Sequence, residues 1–270
     1  MAHNLLQGKK GMIFGALDEK SIAWRTALKC HEEGARLVLT NAPVALRMGE
    51  INKLAEAVKA PVIPADVTNM DDLKKLFEAS IEHFGGKIDF ILHSIGMSLN
   101  VRKNKSYTEI DYGFNQKTLD ISAMSLHRVL RTAWDLDALN EWGSVVALTY
   151  IAAQRVFPHY NEMADAKALP ESVARSFGYH YGSSKKVRVN TISQSPTRTT
   201  AGSGIKGFDG FVTYAEKMSP LGNASSDDCA YYCVSLFSDF TRMVTMQNLF
   251  HDGGFSSMGV TEEIMVALEQ

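Results

Sequence analysis

The chain has 270 residues, 45% of them hydrophobic and 21% charged, with a formal net charge of -2 at pH 7. That balance supports a substantial core and excludes disordered, fibrous and polybasic nucleic-acid-binding classes. The longest apolar run (145–153) falls short of the roughly 20 residues that cross a bilayer, three cysteines leave no complete disulfide framework, and MAHNLLQGKKG contains no apolar signal core, so the expectation is a cytoplasmic protein without membrane or nucleic-acid partners.

In chain order, residues 11–15 form a short apolar strand closed by glycine. Residues 21–33 follow as a helix, with Ile22, Ala23, Ala27 and Leu28 at helical spacing and Gly34 as its stop. Arg36–Thr40 reads as a second strand, 44–58 as a helix and 60–67 (APVIPADV) as a third strand. Met70–Phe84 is an amphipathic helix stopped by Gly85-Gly86, and 88–94 is a fourth strand. A long helical stretch over 109–139 precedes a fifth strand at 144–150. A helix over 158–181, with Pro158 as its first residue, leads to a sixth strand at 187–193. A helix at 225–240 and a seventh strand at 245–251 close the series. Nearly uniformly apolar strands separated by helix-length segments predict an α/β fold. The expected form is a single doubly wound Rossmann-type domain over 1–270, a seven-stranded parallel sheet with helices on both faces. The long irregular stretches, 97–108 and 195–210, both follow strand ends, where such sheets bind ligands.

A helix N-terminus after the first strand offers free N–H groups to a pyrophosphate. Gly15 opens that turn, and Ser21, followed by Ile22, caps the helix; with a single glycine it departs from G-x-G-x-x-G, and an ordinary capped loop reads the same way. Asp66-Val67 ends the third strand, where a carboxylate can accept from an adenine amino group. Ser94-Ile95-Gly96 ends the fourth, where glycine lets the backbone approach a ribose. Three such turns at strand C-terminal ends favour a dinucleotide. The second strand ends Thr40-Asn41-Ala42-Pro43, without the acidic residue that commonly meets the adenosine ribose, and Arg47 is either a 2′-phosphate partner or a solvated arginine. NADH versus NADPH stays open on these residues. No His or Cys set has metal-ligand spacing, and Cys229 and Cys233 read as small buried apolar residues.

The catalytic signal is the segment from Tyr160 to Lys167, with Tyr150 ten residues upstream at the end of the fifth strand. On a continuous helix, seven residues put Tyr160 and Lys167 within roughly 20° of one face and about 10.5 Å apart along the axis. In these motifs, and in PTRT (196–199), SGIK (203–206) and DGGF (252–255), nearly the whole chain resembles a short-chain dehydrogenase/reductase of the enoyl-acyl-carrier-protein reductase type. Ordinary superfamily members space tyrosine and lysine as Y-x-x-x-K with an upstream serine; those two positions hold Met163 and Tyr150 here, and Tyr150, Tyr160 and Lys167 match the enoyl reductase arrangement instead. The longer spacing has a chemical rationale. Hydride goes to C3 of a 2-enoyl thioester while charge develops on the C1 oxygen, two carbons farther from the nicotinamide.

The resemblance implies Tyr160 as donor to the developing enolate oxygen, Lys167 on the nicotinamide ribose and Tyr150 lining the thioester pocket. The cofactor implied is NADH, with NADPH as the alternative, and contacts to it are expected from Gly15, Ser21, Ile22, Ala42, Asp66, Val67, Ser94, Ile95, Gly96, Lys167, Thr197 and Thr199. Substrate contacts are expected from Met97, Ser98, Tyr150, Tyr160, Met163, Phe208 and Phe211, under a flap at about 195–218. The partner implied is acyl carrier protein bearing an enoyl chain, and the assembly a homotetramer. Tyr181 to Lys185 is a literal Y-x-x-x-K, but Gly182 is expected to end the helix there, leaving Lys185 in solvent. Pro170, three residues past Lys167, is expected to bend or weaken its helix. A carbonyl or alcohol reductase and a non-catalytic NAD(P)-binding sensor are the alternative readings.

Overall fold

The computed structural model describes residues 3–48, 50–200 and 202–269. β1 (Lys10–Phe14) leads into α1 (Ile22–Glu32), where Ser21 Oγ accepts the Trp24 N–H at 3.3 Å and caps the helix as its residue type predicts. β2 (Arg36–Thr40) follows. Two helices, α2 (Pro43–Met48) and α3 (Ile51–Val58), replace the single one expected over 44–58; the sequence has Gly49 at the join, and glycine is a poor helix former. α4 (Met70–Phe84) is capped by Asn69 and ended by Gly85 at φ 63°.

After β3 (Ile88–His93), the stretch expected as one helix over 109–139 is broken. It comprises α6 (Tyr112–Leu119), a π-turn (Asp120–Met124) and α7 (Ser125–Asp135), preceded by the short α5 (Leu99–Arg102). β4 (Leu139–Thr149) therefore starts five residues earlier than its sequence pattern indicated. A 3₁₀ turn (Ile151–Ala153), α8 (Glu162–Lys185), β5 (Arg188–Gln194), α9 (Phe208–Met218), α10 (Ser226–Phe237), β6 (Asn248–His251) and α11 (Glu262–Leu268) complete the chain.

The sheet is parallel, in the order β2-β1-β3-β4-β5-β6, with six strands among the described residues where seven were expected. The missing strand is 60–67. It runs beside β2 but makes one bridge, Leu39 with Val62; Leu39 donates to the Pro61 carbonyl at 3.0 Å and Ile63 donates to that of Leu39 at 2.9 Å. A third bond, from the Ala65 N–H to the Asn41 carbonyl at 3.1 Å, follows β2 just past its end; Pro61 brings no N–H, so the ladder cannot extend in the other direction.

Alternate residues feed opposite faces. Met12, Phe14, Ile91 and Val145 join a cluster with Leu73 and Phe77 of α4, Leu126 of α7 and Val173 of α8. Ile13, Leu39, Leu92 and Val146 pack with Ala27 of α1, Leu54 of α3 and Cys233 of α10. Cys30, Cys229 and Cys233 are all free and fully buried. Chain order reverses between β1 and β3, which opens a crevice at their C-terminal ends. Among the described residues no helix is long and apolar enough to cross a membrane.

Two expectations about α8 change. It begins at Glu162, not Pro158, and runs through Gly182 to Lys185, where Lys186 at φ 59° closes it and donates to the Gly182 carbonyl at 3.2 Å. Tyr181 is a core residue whose hydroxyl donates to the Leu130 carbonyl at 2.9 Å. Lys185 pairs with Asp137 instead of standing free in solvent.

Candidate active site

The strand ends enclose a cavity of about 580 Å³, and every cofactor, catalytic and substrate residue expected from the sequence lines it. Gly15 sits at φ 91°, where a Cβ would lie 2.0 Å from the Ser94 carbonyl oxygen, so β1 and β3 meet only because this residue has no side chain. Ser21 and Ile22 form the start of α1 on the same rim. Asn41 sets Ala42 by accepting its N–H at 2.9 Å while donating to the Ala16 carbonyl at 2.9 Å. Asp66 accepts from the Thr68 N–H at 2.9 Å and hydroxyl at 2.7 Å, both through Oδ1, and Val67 is buried behind it.

Below them lie Ser94, Ile95 and Gly96; a Cβ on Gly96 would lie 2.9 Å from Met163 Cε and 3.7 Å from Lys167 Nζ, so the glycine makes room for the lysine. Met97 is held through its backbone, its N–H donating to Ser122 Oγ at 2.9 Å and its carbonyl accepting from that hydroxyl at 3.0 Å. Ser98 donates to the fully buried Glu162, which also accepts from Thr118 at 3.2 Å.

Tyr160 lies ahead of α8, on a turn between His159 (φ 68°) and Asn161 (φ 47°). One continuous helix face therefore does not align it with Lys167; two left-handed residues aim the ring into the cavity instead. The Tyr150 and Tyr160 ring centroids are 5.2 Å apart, Phe157 lies 5.1 Å from Tyr150, and Phe211 of α9 lies 5.9 Å from Phe157, which makes an aromatic wall. Burial pushes both tyrosine hydroxyls well above their ordinary range, so both are neutral donors, and Tyr150 Oη has no partner among the described residues.

Lys167 donates from Nζ to the Leu148 carbonyl at 3.0 Å, and burial pulls its pKa down to about 8. His93 is buried nearby; burial, and then the lysine's charge, lower its pKa to about 3, so it is neutral. Ser125 Oγ donates to the Ile121 carbonyl at 2.6 Å and lies 2.8 Å from His93 Nε2, which assigns the ring proton to Nε2.

Over the cavity, Thr197 donates to the Ser195 carbonyl at 2.8 Å and accepts from Gln194 at 3.3 Å, while Thr199 accepts the Gly202 N–H at 3.0 Å. Phe208 and Phe211 come from α9, and Thr200 bonds Asp18 on the turn after β1, tying this segment to the opposite rim. Arg47 is exposed and does not line the cavity.

Several lining residues were not anticipated. Gln194, Ser195 and Asn41 carry the signal that identified Asp66 and Ser94, a polar residue at a strand's C-terminal end. Ile121 enters through the π-turn, which has no sequence signature, although such turns gather at functional sites.

The family model described as "Enoyl-(Acyl carrier protein) reductase" matches residues 15–256. A Rhizobium meliloti protein named enoyl-[acyl-carrier-protein] reductase [NADH] 2 is 33% identical over 269 residues, covering 98% of each chain. The crystal structure of a FabI–NADH complex from Alistipes finegoldii superposes with a TM-score of 0.95 at 61% identity, over 96% of this chain and 92% of that one. The Bacillus cereus enoyl-acyl carrier protein reductase, solved with NADP+ and indole naphthyridinone, gives 0.88 at 31%, over 96% and 100%. The chain belongs to the enoyl-(acyl carrier protein) reductase family of the short-chain dehydrogenase/reductase superfamily.

Proposed function

We propose that this chain reduces the double bond of trans-2-enoyl thioesters on acyl carrier protein, with NADH as the reductant, in fatty-acid synthesis. The observation that carries the reading is the convergence of Tyr150, Tyr160 and Lys167 on one apolar-walled cavity at the strand ends. The residues present fit a dinucleotide: Gly15, without a Cβ, lets the β1 turn pack against Ser94 at the cavity rim, Ser21 caps α1 beside it, and the Asp66 carboxylate lines the same cavity.

NADH, when bound, supplies the hydride. Lys167 would hold the nicotinamide ribose through Nζ and contribute positive field. Thr197 and Thr199 would meet the carboxamide or pyrophosphate, with Ala42, Asp66, Val67, Ser94, Ile95 and Gly96 along the adenosine and ribose. Tyr160, neutral through burial, would donate to the thioester oxygen as negative charge develops there. Tyr150 and Phe211 exclude water from that oxygen, and Met97, Ser98, Met163 and Phe208 wall the acyl chain. Residues 195–218 would act as a flap, a role supported by the Thr200–Asp18 contact across the cavity mouth. Although no acidic residue ends β2 to meet the adenosine ribose, Arg47, the side chain that could have met a 2′-phosphate, is exposed outside the cavity, which favours NADH over NADPH. Assembly as a homotetramer is carried over from the family resemblance, and the exposed Phe240 and Met243 after α10 are apolar side chains available to another copy.

The test follows NADH and NADPH absorbance with crotonyl and acetoacetyl thioesters in parallel. Oxidation with the crotonyl compound is expected. Oxidation only with the acetoacetyl compound would make the chain a carbonyl reductase, and oxidation with neither a cofactor-binding protein.

A further inference from the structure

One turn beyond Lys167, Pro170 interrupts α8. Proline has no N–H, so the Ala166 carbonyl loses the donor that position 170 would give it, and the ring crowds that turn. Ala166 is fully buried and Pro170 is buried with it, so bulk water does not replace the missing rung. The helix is weakest where it carries Lys167.

The next residue reaches across to the other arm of the site. Glu171 is only 6% exposed. Thr149, the residue before Tyr150, places Oγ1 3.0 Å from Glu171 Oε1 and 3.1 Å from the main-chain carbonyl of Lys167. Gln154, just past the 3₁₀ turn, donates from Nε2 to Glu171 Oε2 at 3.2 Å. The threonine hydroxyl has one hydrogen and two acceptors within reach. With a carboxylate at 171, one of those contacts has no hydrogen. With a carboxylic acid, Glu171 donates to Thr149 Oγ1, Thr149 passes its own hydrogen to the Lys167 carbonyl, and Gln154 serves the second oxygen.

We propose that Glu171 is a positioning residue: as a neutral acid it braces the proline-interrupted turn carrying Lys167 against the strand end carrying Tyr150. Burial raises its pKa, the direction the neutral form requires, against the opposing pull of the Gln154 and Thr149 hydrogen bonds and of the Arg175 charge on the same helix; among the described residues, strand and turn present no other charge to it.

The proposal rests on the assignment of Lys167 to the cofactor, so the test reads NADH affinity directly as well as turnover. Glu171→Ala and Glu171→Gln are made in the parent and in Pro170→Leu, and NADH Kd and crotonyl-thioester kcat/KM are measured. Glu171→Ala should weaken NADH binding and lower kcat/KM by about tenfold or more, whereas Glu171→Gln, whose amide can donate to Thr149 and accept from Gln154, should stay within about threefold. In Pro170→Leu, which restores the N–H at 170, the alanine penalty should shrink to about threefold or less. Equal damage from glutamine and alanine, an alanine penalty identical in both backgrounds, or no penalty would each overturn the proposal. Should Glu171→Ala fail to fold, Thr149→Val takes its place: a raised NADH Kd beside a near-normal Glu171→Gln supports the brace, and an unchanged Kd refutes it. If the parent turns over no enoyl thioester, the functional reading fails while NADH Kd still decides the brace.

Discussion

Replacing Lys167 with methionine should stabilise the ligand-free protein and abolish its grip on NADH. Lys167 is buried, and its pKa falls from 10.5 to about 8. At about 1.36 kcal/mol per decade of acidity, the interior disfavours the ammonium by about 3 kcal/mol at neutral pH. Methionine removes that cost but leaves the Leu148 carbonyl without its donor, a loss of about 1–2 kcal/mol. The net gain of about 1–2 kcal/mol corresponds to a few degrees in Tm for a chain of this size.

Its pH dependence identifies the cause. The folded pKa lies below the unfolded one, so between about pH 8 and 10.5 the unfolded chain binds more protons and the parent gains stability as pH rises. Below about pH 8 the full cost is present; above 10.5 it has vanished. Urea midpoints of the two ligand-free proteins, measured from neutral pH to about pH 10, should therefore converge and then cross, leaving the variant with only its lost hydrogen bond. A difference that stays constant with pH would refute the reasoning, because the lysine would then not be desolvated. Fluorescence titration should show NADH binding by the parent and none by the variant.

Tyr160→Phe should lower kcat with crotonyl thioester by about 10²-fold or more while leaving NADH affinity nearly unchanged, as expected for a donor felt only as charge develops. Tyr181→Phe should keep kcat and lose about 1 kcal/mol in urea unfolding, through its bond to Leu130. Gly15→Ala forces a Cβ to 2.0 Å from the Ser94 carbonyl oxygen at φ 91°, so thermal melting should show a severe loss of stability, and NADH binding should weaken wherever the protein still folds. Arg47→Ala should change neither the NADH nor the NADPH KM, since that side chain is exposed outside the cavity; a selective rise in the NADPH KM would place a 2′-phosphate there.

The residues that line the candidate site are more legible in the sequence than the elements that present them. Tyr150, Tyr160 and Lys167 were marked by spacing, and Asp66, Ser94 and Gly96 by their place after apolar runs, because the pattern of a buried parallel strand ends where its backbone leaves the sheet. The local route to the site was hidden. Pro158 resembles a helix start, yet His159 and Asn161 adopt left-handed conformations and delay α8 to Glu162, a choice made by tertiary packing. Residues 60–67 are as apolar as a strand, and only Pro61, read for its missing N–H, foretells that they pair with β2 through a single bridge. Glu171 looked like any glutamate on a helix; its partners, Thr149 and Gln154, lie 22 and 17 residues earlier in the chain, beyond what periodicity can see.

The cavity also collects polar groups that a core built for stability alone would avoid. Among the described residues, Tyr150 Oη and Thr40 Oγ1 line it without a partner and Glu162 Oε2 is buried unpaired beside Ser98, while Lys167 is held where its charge is disfavoured. Each lowers the stability of the ligand-free fold. Those in the cavity lie where a dinucleotide and a thioester can supply the missing hydrogen bonds and counter-charge, so binding should recover part of that stability. NADH should accordingly raise the Tm of the parent by more than mass action predicts for Lys167→Met, which neither carries the strained ammonium nor holds the cofactor. Equal thermal shifts in the two proteins would show that the buried lysine takes no part in the binding energy.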